Sequence, residues 1–238
     1  MATNHSTNHS KALTKSVGAA VGVAVLSYAA FVATTWLRYG QIAAAPADDH
    51  DPLLARFMPS YEVAIRHQAH VTAPPDITLA AAKDHDLFAS AIVRSIIRTR
   101  EVVLRVEPEK RVRPRTLLAL MQSLGWGVLA DVPGREVVFG SITRPWEGDV
   151  RFDAVPPADF AAFAEPGYVK IVWNLRVEPA AHGSILHVET RVATTDPVSR
   201  EKFRRYWAFV SPGSVLIRRV SFGPIKREAE RRARGVAR

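Results

Sequence analysis

The chain contains no cysteine, which excludes disulfides, thiolate metal sites and a cysteine nucleophile together and leaves the fold to packing alone. It has no glycine-rich phosphate loop, since Gly125 and Gly127 stand without the rest of such a motif and do not open a helix. There is no G-x-S-x-G either. Histidines are present without ligand-like grouping: His67 and His70 point to opposite faces of a strand, and His85, His182 and His187 have no matching spacing. No metal and no cofactor is therefore expected.

The basic excess is gathered in one place. From Pro197 onward twelve Lys and Arg face three Glu, a surplus of nine that equals the net charge of the whole chain, +9. Residues 1–196 are neutral. A pI near 10.2 favours acidic partners, and concentration of the excess at one end makes anionic lipid the nearer candidate. Nucleic acid is not expected, because no recognised binding motif or aromatic-interleaved basic face accompanies the charge.

Charge is also missing from residues 16–37, twenty-two residues in a row. That is enough to cross a hydrocarbon core, which needs roughly 20 residues of helix, and Trp36, Arg38 and Tyr39 form the pairing that settles at an interface. The expectation is a polar tail over 1–15, a single transmembrane helix over 16–38 and a linker over 39–58. Gly18 and Gly22 form a GxxxG pair that could bring two such helices together. The competing readings are a signal peptide cut after Ala47 and a buried helix of a soluble domain. The basic closing segment favours the cytoplasmic side for the rest of the chain.

The domain is expected over 59–230, followed by a basic tail at 231–238. A clean alternation over 61–71 predicts the first strand. Two helices follow over 77–83 and 87–100, then a short strand at 102–106 and a helix over 116–124. Strands at 126–132, 135–143, 168–177 and 185–194 are separated by turn formers, which favours an antiparallel sheet in an α+β fold. A short strand at 150–152 and a helical turn at 159–164 fall within that run.

The two sheet faces differ. Val169, Ile171, Trp173, Leu175 and Val177 share one side, and Lys170, Asn174 and Arg176 the other. Asp196 is a good N-cap, and Phe203, Tyr206, Trp207 and Val210 then fall at helical spacing to give an aromatic stripe able to cover the apolar side. Ser211 and Pro212 read as the start of a second helix, and Gly223-Pro224 as its break, so the charged remainder is expected outside. His187, Glu189 and Arg191, with Lys170 and Arg176, read as a cross-strand ion-pair ladder on a wet face; an acid or base inside a cavity is the alternative.

One strand, two helices, an antiparallel run and a long C-terminal helical segment is the order of the helix-grip fold, and here the chain resembles the START-like, or SRPBCC, superfamily. The phrases that carry the resemblance are Gly125-Trp126-Gly127-Val128-Leu129, Glu165-Pro166-Gly167-Tyr168-Val169-Lys170 and Phe203-Arg204-Arg205-Tyr206-Trp207. It implies a sheet gripping the last helix and an apolar ligand, lipid-like or polyketide-like, between them. Trp126, Phe139, Ile171, Trp173, Val188, Phe203 and Trp207 are the candidate ligand-binding residues, with core filling as the competing role. No catalytic signature carries over. The expected function is a membrane-anchored binding or carrier protein for an apolar small molecule, against a cyclase- or dehydratase-like enzyme or a scaffold without ligand.

Overall fold

A computed structural model of the chain describes residues 6–41, 51–103 and 114–236, apart from the side chains of 6–21, 100 and 103. Helix α1 (Ser6–Leu37) begins ten residues before the expected span. Among the described residues no helix is long and apolar enough to cross a membrane. Residues 16–21 of the expected transmembrane helix, and with them the Gly18 half of the GxxxG pair, lie outside the described side chains.

Asp51 caps α2 (Pro52–Phe57) through the amides of Leu53 and Leu54, the use expected of an aspartate before a proline at the first helical position. Strand β1 (Val63–Val71) leads to α3 (Pro75–Lys83), a 3-10 turn at Leu87–Ala89 and α4 (Ala91–Val103). The expected helix over 87–100 is thus two pieces, because Ser90 is extended between them. Residues 102–103 of the expected strand at 102–106 belong to α4, and 104–106 lie outside the described residues. After α5 (Leu117–Ser123) come β2 (Gly127–Val132), β3 (Glu136–Thr143), β4 (Phe152–Asp153), α6 (Pro157–Phe160), β5 (Val169–Ala180) and β6 (Gly183–Thr194). All pairings are antiparallel, in the order β1-β6-β5-β3-β2 with β4 on β3. Gly125 joins α5 to β2 at φ +91, where a Cβ would lie 1.9 Å from the Phe152 carbonyl oxygen. Only glycine satisfies both conditions.

The largest departure from expectation is the closing segment. Helix α7 runs unbroken from Pro197 to Val236, with Pro212 and Pro224 inside it, about 60 Å at the usual rise. Each internal proline removes a backbone hydrogen bond and costs on the order of 3 kcal/mol. Packing at both ends offsets this. Phe203 is buried with Val169 and Val192, while Ile225 and Ala229 are buried with Leu79, Val137, Phe139 and Leu186. The part beyond Pro224, expected outside, is therefore gripped as firmly as the aromatic stripe, and Ser211 is an interior helical residue.

The second departure concerns the sheet's other side. It is not wet: α2 lays Leu54 and Phe57 across it, and Phe160 of α6 joins them over Leu129, Val138, Ile142 and Val172. Lys170, Arg176, Glu189 and Arg191 are all buried under this cover.

Candidate functional site

On the face turned toward α7 the strand registers place Ile65, Thr190, Trp173 and Phe139 in one row. Phe139 stacks on Trp173 at 4.5 Å between ring centroids, and Trp126 meets Trp173 edge-on at 6.3 Å. The seven residues expected to bind ligand divide between two apolar clusters. Trp126, Phe139, Trp173 and Val188 belong to the one that receives the C-terminal half of α7, and Ile171, Phe203 and Trp207 to the one that receives its N-terminal half. Phe139, Val188 and Phe203 are buried; Trp126, Ile171, Trp173 and Trp207 are half-buried.

The distribution of burial along β5, which lies third in the five-strand order, is uneven. Val169 and Leu175 are 0 % and 2 % exposed, yet Ile171 and Trp173 between them remain partly open. Ile65 and His67 on β1 are likewise half-buried. Along β5 the middle of the inner face is thus more open than the ends, although Phe139 and Thr190 in the same row are buried.

The α7 residues over that middle are polar. Arg218 Nη2 donates to Thr190 Oγ1 at 2.7 Å and Nη1 to Ser214 Oγ at 3.2 Å. Burial alone pushes the guanidinium down to about 10, as expected for a cation taken out of water, and among the described residues no carboxylate pairs with it. Among the described residues the buried Ser211 hydroxyl has no hydrogen-bond partner, and the buried His67 Nδ1 has none either. Burial, then Arg218 and Arg219, lower the pKa of His67, so it is neutral at physiological pH. The aromatic stripe is the part of α7 that sequence reasoning assigned to the sheet, and Ser214 and Arg218 lay outside that assignment. Their signal was the spacing Phe203, Trp207, Ser211, Ser214, Arg218, Phe222, Ile225, Ala229, one continuous helical stripe.

The opposite face holds a pocket of about 240 Å³ lined by Asp51, Arg66, Asn174, Arg176, His187 and Glu189 among others. Its charges are paired. Glu189 lies 3.0 Å from Arg66 and 2.8 Å from Arg191, Arg176 reaches Asp51 at 3.6 Å and also pairs with Glu178, and His187 Nε2 is 3.2 Å from Glu178. Asn174 uses both amide hydrogens, on Asp51 and on Glu136 at 2.7 Å, and accepts the Glu189 amide at 2.8 Å. Burial, and next a hydrogen bond shared with Asp51, push Glu136 up to about 8. A protonated acid is a candidate for catalysis, but Glu136 does not line the pocket and has no route to a bound molecule. The network clips α2 onto the sheet. Among the described residues no group of three or more metal-ligating side chains comes together.

Antiparallel strands wrapped on a long C-terminal helix complete the picture. The architecture is that of a helix grip. No family model matches the chain, and no curated protein matches it. Solved structures that align with it include an AHSA1-like protein from Rhizobium etli, 13 % identical over 71 % of this chain and 82 % of that one with a TM-score of 0.29. CalU16 from Micromonospora echinospora is 16 % identical over 72 % and 85 %, at a TM-score of 0.26. A protein from Chromobacterium violaceum is 16 % identical over 67 % and 98 %, also at 0.26. With scores this low, the assignment of the grip rests on the strand order and the seating of α7 described above.

Proposed function

We propose that the chain binds an apolar small molecule between α7 and the middle of the inner sheet face, and carries it without chemical change. The observation that supports this reading is the half-open state of Ile171 and Trp173 beneath the helix, with sealed neighbours on the same strand. An apolar, aromatic-lined recess with a few polar groups is the usual form of a small-molecule site. Reaction chemistry has less support, since the carboxyl with the most displaced pKa, Glu136, lies on the other face and is enclosed.

The reading includes attachment to a membrane through residues 16–38. Among its described residues, Val23 is 64 % exposed and Leu26 71 %, and residues 16–37 carry no charge. Phe209 and Leu216 on α7 are exposed as well, and α1 runs beside that helix, with Tyr28 Oη donating to the Phe209 carbonyl at 2.7 Å. A bilayer would cover this apolar surface, and a ligand taken from lipid would then have a short path to the recess.

Native mass spectrometry of the detergent-extracted full chain tests the proposal. A co-purifying apolar molecule, exchangeable for an added one, is expected. Protein that emerges empty and takes up nothing from a lipid extract would overturn it.

A further inference from the structure

The stripe that α7 turns toward the sheet is apolar at both ends and polar in the middle. Phe203 and Trp207 lie in one cluster and Phe222, Ile225 and Ala229 in the other, with Ser211, Ser214 and Arg218 between them at i, i+3 and i+7. A helical side chain leans toward the N-terminus of its helix, and Arg218 follows this rule: its guanidinium reaches back one turn to Ser214 and across to Thr190. It therefore lies over the middle of the inner face, beside Trp173, which is paired with Thr190 in the strand register.

A guanidinium has five N–H donors, and the two hydrogen bonds above use two of them. Thr190 and Ser214 each accept from it, which leaves both hydroxyl hydrogens to donate elsewhere. Ser211, one turn further, has a buried hydroxyl with no partner among the described residues. Arg218 is half-buried and has no carboxylate partner among the described residues, and a partly desolvated guanidinium in that position favours an anionic partner. His67, neutral and close by, adds no second positive charge. The arrangement thus offers one positive charge and several hydrogen-bond donors inside an apolar recess.

We propose that Arg218, with Ser214 and Thr190, receives the carboxylate of a long-chain amphiphile whose hydrocarbon lies against Ile171, Trp173 and Trp207. A carboxylate matches the site in charge and shape, because a planar guanidinium takes it in two parallel hydrogen bonds and one negative charge balances one positive. A phosphate monoester carries about two negative charges at neutral pH, and the further cation near His67, Arg219, is exposed to solvent, where it balances the excess only weakly. This assignment rests on the binding proposal above and specifies the polar end of its ligand.

The test is calorimetric titration of the detergent-solubilised full chain with three probes below their micelle-forming concentrations: a long-chain fatty acid, its methyl ester, and the alkyl phosphate of the same length. Preference for the acid over the ester by about tenfold or more is expected, as for a charge-assisted pair removed from water. Arg218→Gln should bind the acid no better than the ester, and Arg218→Lys should recover part of the preference. Melting of Arg218→Gln no lower than that of the unaltered chain would separate lost recognition from lost fold, since the substitution removes an uncompensated charge. Equal binding of acid and ester by the unaltered chain would overturn the carboxylate assignment and leave the binding proposal standing. Tighter binding of the alkyl phosphate would also overturn it. Failure of all three probes to bind would overturn both.

Discussion

Replacing Glu136 by glutamine should change how stability depends on pH while leaving the fold intact. The carboxyl is buried, accepts from Asn174 Nδ2 at 2.7 Å and shares a hydrogen bond with Asp51. Burial is the largest cause of its rise from 4.5 to about 8, the bond to Asp51 adds to it, and Asn174 and Arg176 work against it. Between those two values the folded chain keeps a proton that the unfolded chain has released, so stability falls as pH rises across the window. The slope approaches about 1.4 kcal/mol per pH unit in mid-window, and the total is on the order of a few kcal/mol. Glutamine has the shape and hydrogen-bonding groups of the protonated acid, accepting from Asn174 and donating to Asp51, but has no proton to lose. His67 and His85, both lowered mainly by burial, contribute in the opposite sense and cancel when the two proteins are compared. Urea unfolding followed by tryptophan fluorescence from pH 5 to pH 9 is the assay. The two curves should run together near pH 5 and separate above it, with the variant the more stable. Equal slopes for the two proteins across the whole range would refute the reasoning.

Four further outcomes are expected. Phe139→Ala, at a buried ring stacked on Trp173, should lower the unfolding free energy by about 3–5 kcal/mol, whereas Trp173→Ala should cost less than a full core deletion because Trp173 is only half-buried; chemical denaturation measures both. Gly125→Ala should destabilise by more than the ~1 kcal/mol expected for a glycine replaced at positive φ alone, since its Cβ would also meet the Phe152 carbonyl; a melting temperature close to that of the unaltered chain would contradict this. Pro212→Ala should raise the melting temperature, because α7 is continuous there and alanine restores a helical donor; a fall would mean that the proline bend is needed for the seating of both halves. Asp196, held well below the ordinary carboxylate range first by its bond from the Ser199 hydroxyl and then by the amides of Ser199, Gly167 and Val198, contributes stability that is present above that range and lost as pH falls through its folded value. Asp196→Asn should therefore flatten the acid limb of a thermal-melt series.

Strands β1, β5 and β6 were legible because alternation of apolar and polar residues fixes both the element and its facing, and β3, apolar on both sides, through its β-branched composition and flanking turns. The hairpin turns were legible for a similar reason, through Pro133-Gly134 and Gly183. Continuity of α7 was not. Pro212 and Pro224 are local arguments for a break, and they are outweighed only by contacts with strands far away in sequence. Reading a break at Ser211 also divided the stripe that joins Trp207 to Arg218. The buried outer face was hidden differently: its cover comes from α2, and the residue that locks it, Asp51, looked like linker although it bonds Asn174 across 123 positions of sequence. Aromatic residues on the inner face were visible as a group, but their division into two clusters depends on where α7 crosses the sheet, which the alternation pattern does not contain.

The central claim, that an amphiphile lies between α7 and the middle of the inner sheet face, is tested most directly by photo-crosslinking. A long-chain fatty acid with a diazirine on its hydrocarbon would be irradiated with the detergent-solubilised full chain, and the labelled positions mapped by mass spectrometry. The account predicts modification at Ile171, Trp173 and Trp207, suppressed by excess unlabelled fatty acid. Labelling confined to the pocket around Arg66 and Arg176, or to the exposed side of α1, would contradict it.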